Sequence, residues 1–177
     1  MGETRIHRTA ATPIILCCIL LVGAILRFHK LGAYGLWRDE AEAVFTASAE
    51  FPGGITRVLS GDVHAPLYFY ALHFWTGLVG RSEFGVRALS ALLGIATIPA
   101  IYMAGRELYD HGIGMIAAWI AAILPLHVVV SRTTRMYTLL PLLGVLAFIS
   151  LHRAVTQKKK WAWLAYVLFA TATMYTH

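Results

Sequence analysis

The chain has 177 residues, of which 58% are hydrophobic and only 14% charged, against about 45–50% and about 25% in an ordinary soluble domain. With a mean hydropathy of +0.65, apolar side chains are too abundant in too short a chain to hide in one aqueous core, and a soluble globule is excluded. The formal net charge of +6 comes from 15 Lys and Arg against 9 Asp and Glu; the basic residues lie between apolar runs and form no single patch, which suits membrane topology and not nucleic acid.

A helix crosses a hydrocarbon core in about 20 residues, and uncharged apolar runs near that length predict spans at roughly 10–28, 84–105, 112–131, 136–153 and 161–176. The first follows Arg5 and Arg8. That basic leader also fits a signal peptide, but no small-x-small site with a polar start follows Gly23-Ala24, which favours an uncleaved anchor. Cys17 and Cys18 stand side by side within it, where a disulfide would be strained and would close no loop.

Between the first two spans, residues 27–83 form a long loop containing the run Pro66 to Gly80. This run is short, crowded with aromatics and carries His73 at its centre, a composition that belongs at the membrane–water interface. Loop charge agrees. Arg5 and Arg8 place the N-terminus inside, and Arg153 with Lys158-Lys159-Lys160 marks a second cytoplasmic loop, so an even number of spans must separate them. The predicted fold is an all-α integral membrane module covering 1–177 as one domain, with about five transmembrane helices and interfacial amphipathic helices in a first outer loop over 27–83. No internal repeat is visible, and the last apolar run stops at Met174-Tyr-Thr-His177 without a polar tail, which reads as a chain cut short.

Three polar constellations interrupt the apolar runs. Trp37-Arg38-Asp39-Glu40 sets two adjacent carboxylates where the chain leaves the first span. Partial desolvation raises a carboxyl pKa and a nearby cation lowers it, the setting of a general base; the alternative is a helix start, with Asp39 as N-cap and the acids favoured by the dipole. Asp62-Val63-His64-Ala65-Pro66 joins a carboxylate and an imidazole to a proline suited to the first position of a helix. His64 there is a candidate for phosphate or metal, or part of a simple turn that Asp62 caps. Ser131-Arg132-Thr133-Thr134-Arg135-Met136-Tyr137 puts two arginines on the side where the charge rule does not ask for them, and guanidinium forks bind phosphate oxygens in two-point contacts. Snorkelling to headgroups is the other reading. His127, after Pro125, reads as helix packing.

Taken in order, Leu36-Trp37-Arg38-Asp39-Glu40-Ala41, His64-Ala65-Pro66-Leu67-Tyr68-Phe69, Phe84-Gly-Val-Arg87-Ala-Leu-Ser90, Ser131-Arg132-Thr-Thr-Arg135-Met136 and Tyr175-Thr-His177 resemble the GT-C superfamily of polyprenyl-phosphate-sugar glycosyltransferases. The likeness is to its protein O-mannosyltransferase-like group, which includes the aminoarabinose transferases, and within that group to the N-terminal catalytic module. The resemblance implies an inverting, membrane-bound transferase, in the plasma membrane of a prokaryote, with its N-terminus cytoplasmic and its site on the outer face. It would pass a sugar from a polyprenyl-phosphate donor to a hydroxyl of a glycan, lipid or protein. By that match Asp39 is the catalytic base with Glu40 in support, and Arg132, Arg135 and His64 take the donor phosphate; Asp62, Tyr137 and His177 are additional candidates. Two departures stand out: Ala65 replaces the first of a proline pair, and the second outer loop lacks an acid, which weakens a metal site while leaving a divalent cation, Mg or Mn, as the one cofactor to consider. The contrasting readings are a non-catalytic membrane protein, such as a transporter fragment or assembly subunit, and an inactive truncated module.

Overall fold

The computed structural model describes residues 3–60 and 65–176, with side chains from residue 12 onward. The described residues form helices and no strand: α1 Glu3–Phe28, α2 Arg38–Ala47, α3 Gly53–Leu59, α4 Leu67–Val79, α5 Glu83–Leu108, α6 His111–Ile123, α7 Pro125–Ser131, α8 Leu139–Thr156 and α9 Lys160–Met174. Local chemistry sets several boundaries. Ser82 and Asp110 cap α5 and α6 by accepting the Gly85 and Ile113 N–H groups at 3.1 and 2.9 Å, which satisfies donors that have no partner inside the helix. Gly80 ends α4 at φ 81°, a left-handed conformation that glycine adopts without Cβ strain.

α5 is the central helix, packed against α1, α4, α6, α7 and α8. Its closest neighbour is α6: a Cβ on Gly105 would stand 2.8 Å from the Gly114 Cα, so the two backbones touch where neither residue has a side chain. Thr12 Oγ1 and His111 Nε2, 2.7 Å apart, tie one end of the bundle together with the Arg153–Glu107 pair. At the opposite end Ser90 donates to the Arg135 carbonyl at 3.3 Å, and the Leu67 N–H donates to the Tyr175 carbonyl at 3.0 Å. α2, α3 and α4 lie over this second end. Ala43, Ala47, Ile55, Leu59, Tyr68, Phe69 and Leu72 turn inward onto Val86 and Met136, while Phe45, Phe74 and Leu78 face outward.

The expectation of five spans is only partly met. α5 and the stretch Met136–Thr156 are each long and apolar enough to cross a membrane. The run 112–131, expected as one span, is α6 and α7 bent by 58°, and it makes a third span only if the bent pair is taken together. Pro125 is the reason. It offers no N–H to the Ala121 carbonyl, and its ring drives Leu124 out of the helical region, to φ −56° and ψ 116°. α1 has 26 residues, of which Thr12–Phe28 is the apolar part with described side chains, and the 15-residue α9 falls below the length of a full span. α4, with 13 residues, rises only about 20 Å and packs along α2 and α5.

Candidate functional site

The site end of the bundle is organised by the first turn of α2. Trp37 occupies the N-cap in extended conformation, and its N–H donates to Glu40 Oε2 at 3.0 Å, the reach-back half of a capping box. The cap is therefore Trp37 and not Asp39, which sits one residue inside the helix. A helix turns about 100° per residue, so two consecutive carboxylates point in different directions. Glu40 goes inward and is 2% exposed, whereas the Asp39 side chain is 65% exposed.

Glu40 is saturated. Oε1 accepts from Arg87 Nε at 2.9 Å and from the Thr134 N–H at 3.0 Å; Oε2 accepts from Arg87 Nη2 at 2.7 Å and from Trp37. Arg87 is equally committed, donating besides to the carbonyls of Leu31, Tyr34 and Gly35 at 3.0, 2.7 and 2.9 Å, which uses all five of its N–H groups. Burial would raise the Glu40 carboxyl pKa, but the Arg87 bonds and the two backbone N–H groups outweigh it and hold the carboxyl below its ordinary range. With its lone pairs taken by these four donors, Glu40 fixes the turn that presents Asp39.

Asp39 Oδ2 lies 3.7 Å from Arg135 Nη2, an ion pair just outside hydrogen-bond length. Arg135 is 8% exposed, and its buried Nε has no acceptor; the hydroxyls of Thr134 and Thr138 on the same turn are also buried without partners. Beneath it Tyr68, fully buried, shares a 2.8 Å hydrogen bond with Ser90, which in turn donates to the Arg135 carbonyl. Burial pushes the Tyr68 phenol well above its usual range, so it supports the Arg135 backbone as a neutral group.

Arg132 faces elsewhere. It donates to the Leu26 and His29 carbonyls at 3.1 and 2.8 Å, closing the C-terminal end of α1, and it lines a cavity of about 710 Å³ with Lys30, Tyr34, Trp37, Val128 and Val129. The Glu40–Arg87 pair forms part of that wall, while Asp39 and Arg135 do not line it. The two candidate phosphate ligands thus stand on different surfaces of one turn. Tyr137 is 42% exposed beside them, and Asp62, His64 and His177 lie outside the described residues. Among the described residues no group of three His, Cys, Asp or Glu is placed to hold a metal ion. Near Asp39, Glu40 is already saturated, so this donor set does not fit a divalent cation.

Two residues at this end carry more of the structure than the sequence suggests. Arg87 lies within a conspicuous segment and Arg27 within a span, and the available signal for each was a lone arginine in an apolar helix, a position where charge is expensive unless it is fully bonded. Glu40→Gln preserves shape but leaves the buried Arg87 without a counter-ion, which should lower unfolding free energy by about 3–5 kcal/mol. Because folding lowers the Glu40 pKa, its contribution is complete above the unfolded value of about 4.3 and is lost as pH falls through the folded value. Thermal unfolding in detergent across that pH range should show an acid-dependent loss in the wild type that Glu40→Gln lacks.

The chain matches the family described as dolichyl-phosphate-mannose-protein mannosyltransferase over residues 63–177. The matched stretch takes in Arg87, Arg132 and Arg135 and begins after Asp39 and Glu40. Neither a curated protein nor a solved structure gives a match. A match over well more than half of the chain, on an all-helical fold with membrane-capable helices, shows that the chain belongs to the dolichyl-phosphate-mannose-protein mannosyltransferase family, of GT-C type.

Proposed function

We propose that this chain carries the catalytic end of an inverting glycosyltransferase that moves a sugar from a polyprenyl-phosphate donor to a hydroxyl of a glycan, lipid or protein acceptor. The supporting observation is the pairing of an exposed carboxylate, Asp39, with a buried guanidinium, Arg135, that lies beyond hydrogen-bond length from it. An acceptor hydroxyl beside Asp39 would pass its proton to the carboxylate as its oxygen bonds to the anomeric carbon. The bond from that carbon to the lipid phosphate breaks on the opposite face, and its electron pair leaves with the phosphate. Arg135 turns from Asp39 to the phosphate as the sugar enters between them and offsets the charge that develops there, while Arg132, at the wall of the neighbouring cavity, meets the donor headgroup. Glu40 serves as a positioning residue. His64 as a further ligand of the donor phosphate, with Asp62, Tyr137 and His177 as additional candidates, completes the set that the resemblance implies.

The same reading places the site on the outer face of a five-span module, with α2, α3 and α4 lying in the interface and the N-terminus inside. α9, shorter than a full span, would then cross with help from flanking residues or local thinning of the bilayer.

Three measurements on the full-length protein in lipid test this. Asp39→Asn removes the proton acceptor at nearly constant size, and sugar transfer should fall about 10²–10⁴-fold with expression unchanged; retained transfer would remove Asp39 from the mechanism. Arg135→Lys keeps the charge and loses the fork, so transfer should drop well below wild type, and wild-type activity would point to headgroup snorkelling. In a background without Cys17 and Cys18, single cysteines at Arg81 and Tyr137 should react with an impermeant thiol reagent from outside and one at Gln157 should not. Labelling of position 81 from the cytoplasmic side alone would overturn the interfacial placement of α4.

A further inference from the structure

Arg27 is fully buried near the end of α1 and has no carboxylate partner among the described residues. Its guanidinium is nonetheless fully used. Nη1 donates to the Gly23 and Ala122 carbonyls, both at 2.9 Å; Nη2 donates to the Ala121 carbonyl at 3.1 Å and to His127 Nδ1 at 2.7 Å; Nε donates to Ser131 Oγ at 3.3 Å. Ala121 is the residue whose carbonyl Pro125 leaves without its helical donor, and Ala122 is the next carbonyl at the break. A cation on the C-terminal carbonyls of α6 also opposes the negative end of the helix dipole. Ser131, the last residue of α7, is held at the same time and donates its own hydroxyl hydrogen bond to the His127 carbonyl at 2.5 Å. Gly94 of α5 leaves the space for this: a methyl group there would overlap the Ser131 hydroxyl and crowd Arg27 Nε. Arg132 follows Ser131 directly, and Arg135 lies three residues further on.

We infer that Arg27 is a positioning residue: by bonding both sides of the α6–α7 break it fixes the direction of α7 and so the aim of the Arg132–Arg135 turn toward Asp39. The inference rests on the transferase reading for its catalytic consequence, but not for its structural one. In an apolar surrounding no water is at hand to take over the broken-helix carbonyls, so removal of the guanidinium frees α7 to pivot or straighten.

The test uses the full-length protein in lipid, with Cys17 and Cys18 replaced and spin labels at Phe45→Cys on α2 and Val129→Cys on α7, both exposed positions. The distance distribution between the labels should be narrow with Arg27 and should shift or broaden in Arg27→Gln. In unlabelled protein, kcat for sugar transfer per folded molecule should fall about 10–10²-fold, as expected for a small misplacement of a catalytic group, and Arg27→Lys should recover part of it. Ser131→Ala removes only one of the five bonds and should give a smaller change of the same kind; it decides the matter if Arg27→Gln fails to accumulate. A lower melting temperature with an unchanged distance distribution and unchanged kcat would overturn the inference, leaving Arg27 a purely structural cation. Should the unsubstituted protein transfer no sugar, the transferase reading falls and the distance measurement alone decides the role of Arg27.

Discussion

The buried pair Glu40–Arg87 is the constraint on which the site end of this protein depends. One carboxylate and one guanidinium, joined at 2.7 and 2.9 Å, also hold the segment 31–37, the start of α2 and the turn at Thr134. Removing two charges from water is expensive, and a well-packed apolar pair of the same volume would often be as stable or more so. What an apolar pair would lack is direction. Four acceptor sites on Glu40 and five donors on Arg87 specify the relative placement of three chain segments that share no helix, and Asp39 and Arg135 are each within one residue of a group so fixed.

Arg27, a second buried arginine with its full set of bonds, follows the same logic with carbonyls in place of a carboxylate. Arg27 bonds the carbonyls at the α6–α7 break, and the partly exposed Arg132 bonds those at the end of α1. Helix ends leave carbonyls without partners, and in a bundle made chiefly of apolar helices those carbonyls have few alternatives. Cations on several open ends let helices break or stop inside the protein, which is what a site built between helices requires.

Much of this was legible in the sequence. Apolar runs identify the membrane module, and the aromatic crowding of 66–80 separates α4 from the longer helices, because composition reports the surroundings of a whole segment. The bend in 112–131 was signalled by Pro125, yet a proline marks a weakness and not an angle; the 58° bend follows from what bonds the freed carbonyls, and Arg27 lies about a hundred residues away along the chain. Glu40 and Asp39 are alike as neighbours in sequence. Only the partner, Arg87, decides which of them is buried, and nothing in local spacing joins position 40 to position 87. The same blindness applies to Arg132 and Arg135, which read as a pair but face different surroundings.

That separation bears on how charge moves at the site. Asp39 and Arg135 are close enough to interact but are not hydrogen-bonded, and Arg135 carries a buried Nε with no acceptor, a deficit worth about 1–3 kcal/mol. A guanidinium that already had its full set of bonds, as Arg27 and Arg87 do, would have to break one to meet a phosphate. Arg135 has no such bond to break. The turn that holds it is fixed through backbone groups, by Glu40 at the Thr134 N–H and by Ser90 at the Arg135 carbonyl, so the side chain is engaged through its 3.7 Å ion pair with Asp39 and not through hydrogen bonds. A rigid main chain carrying an under-bonded cation beside an exposed carboxylate is the arrangement on which the phosphate role proposed for Arg135 rests.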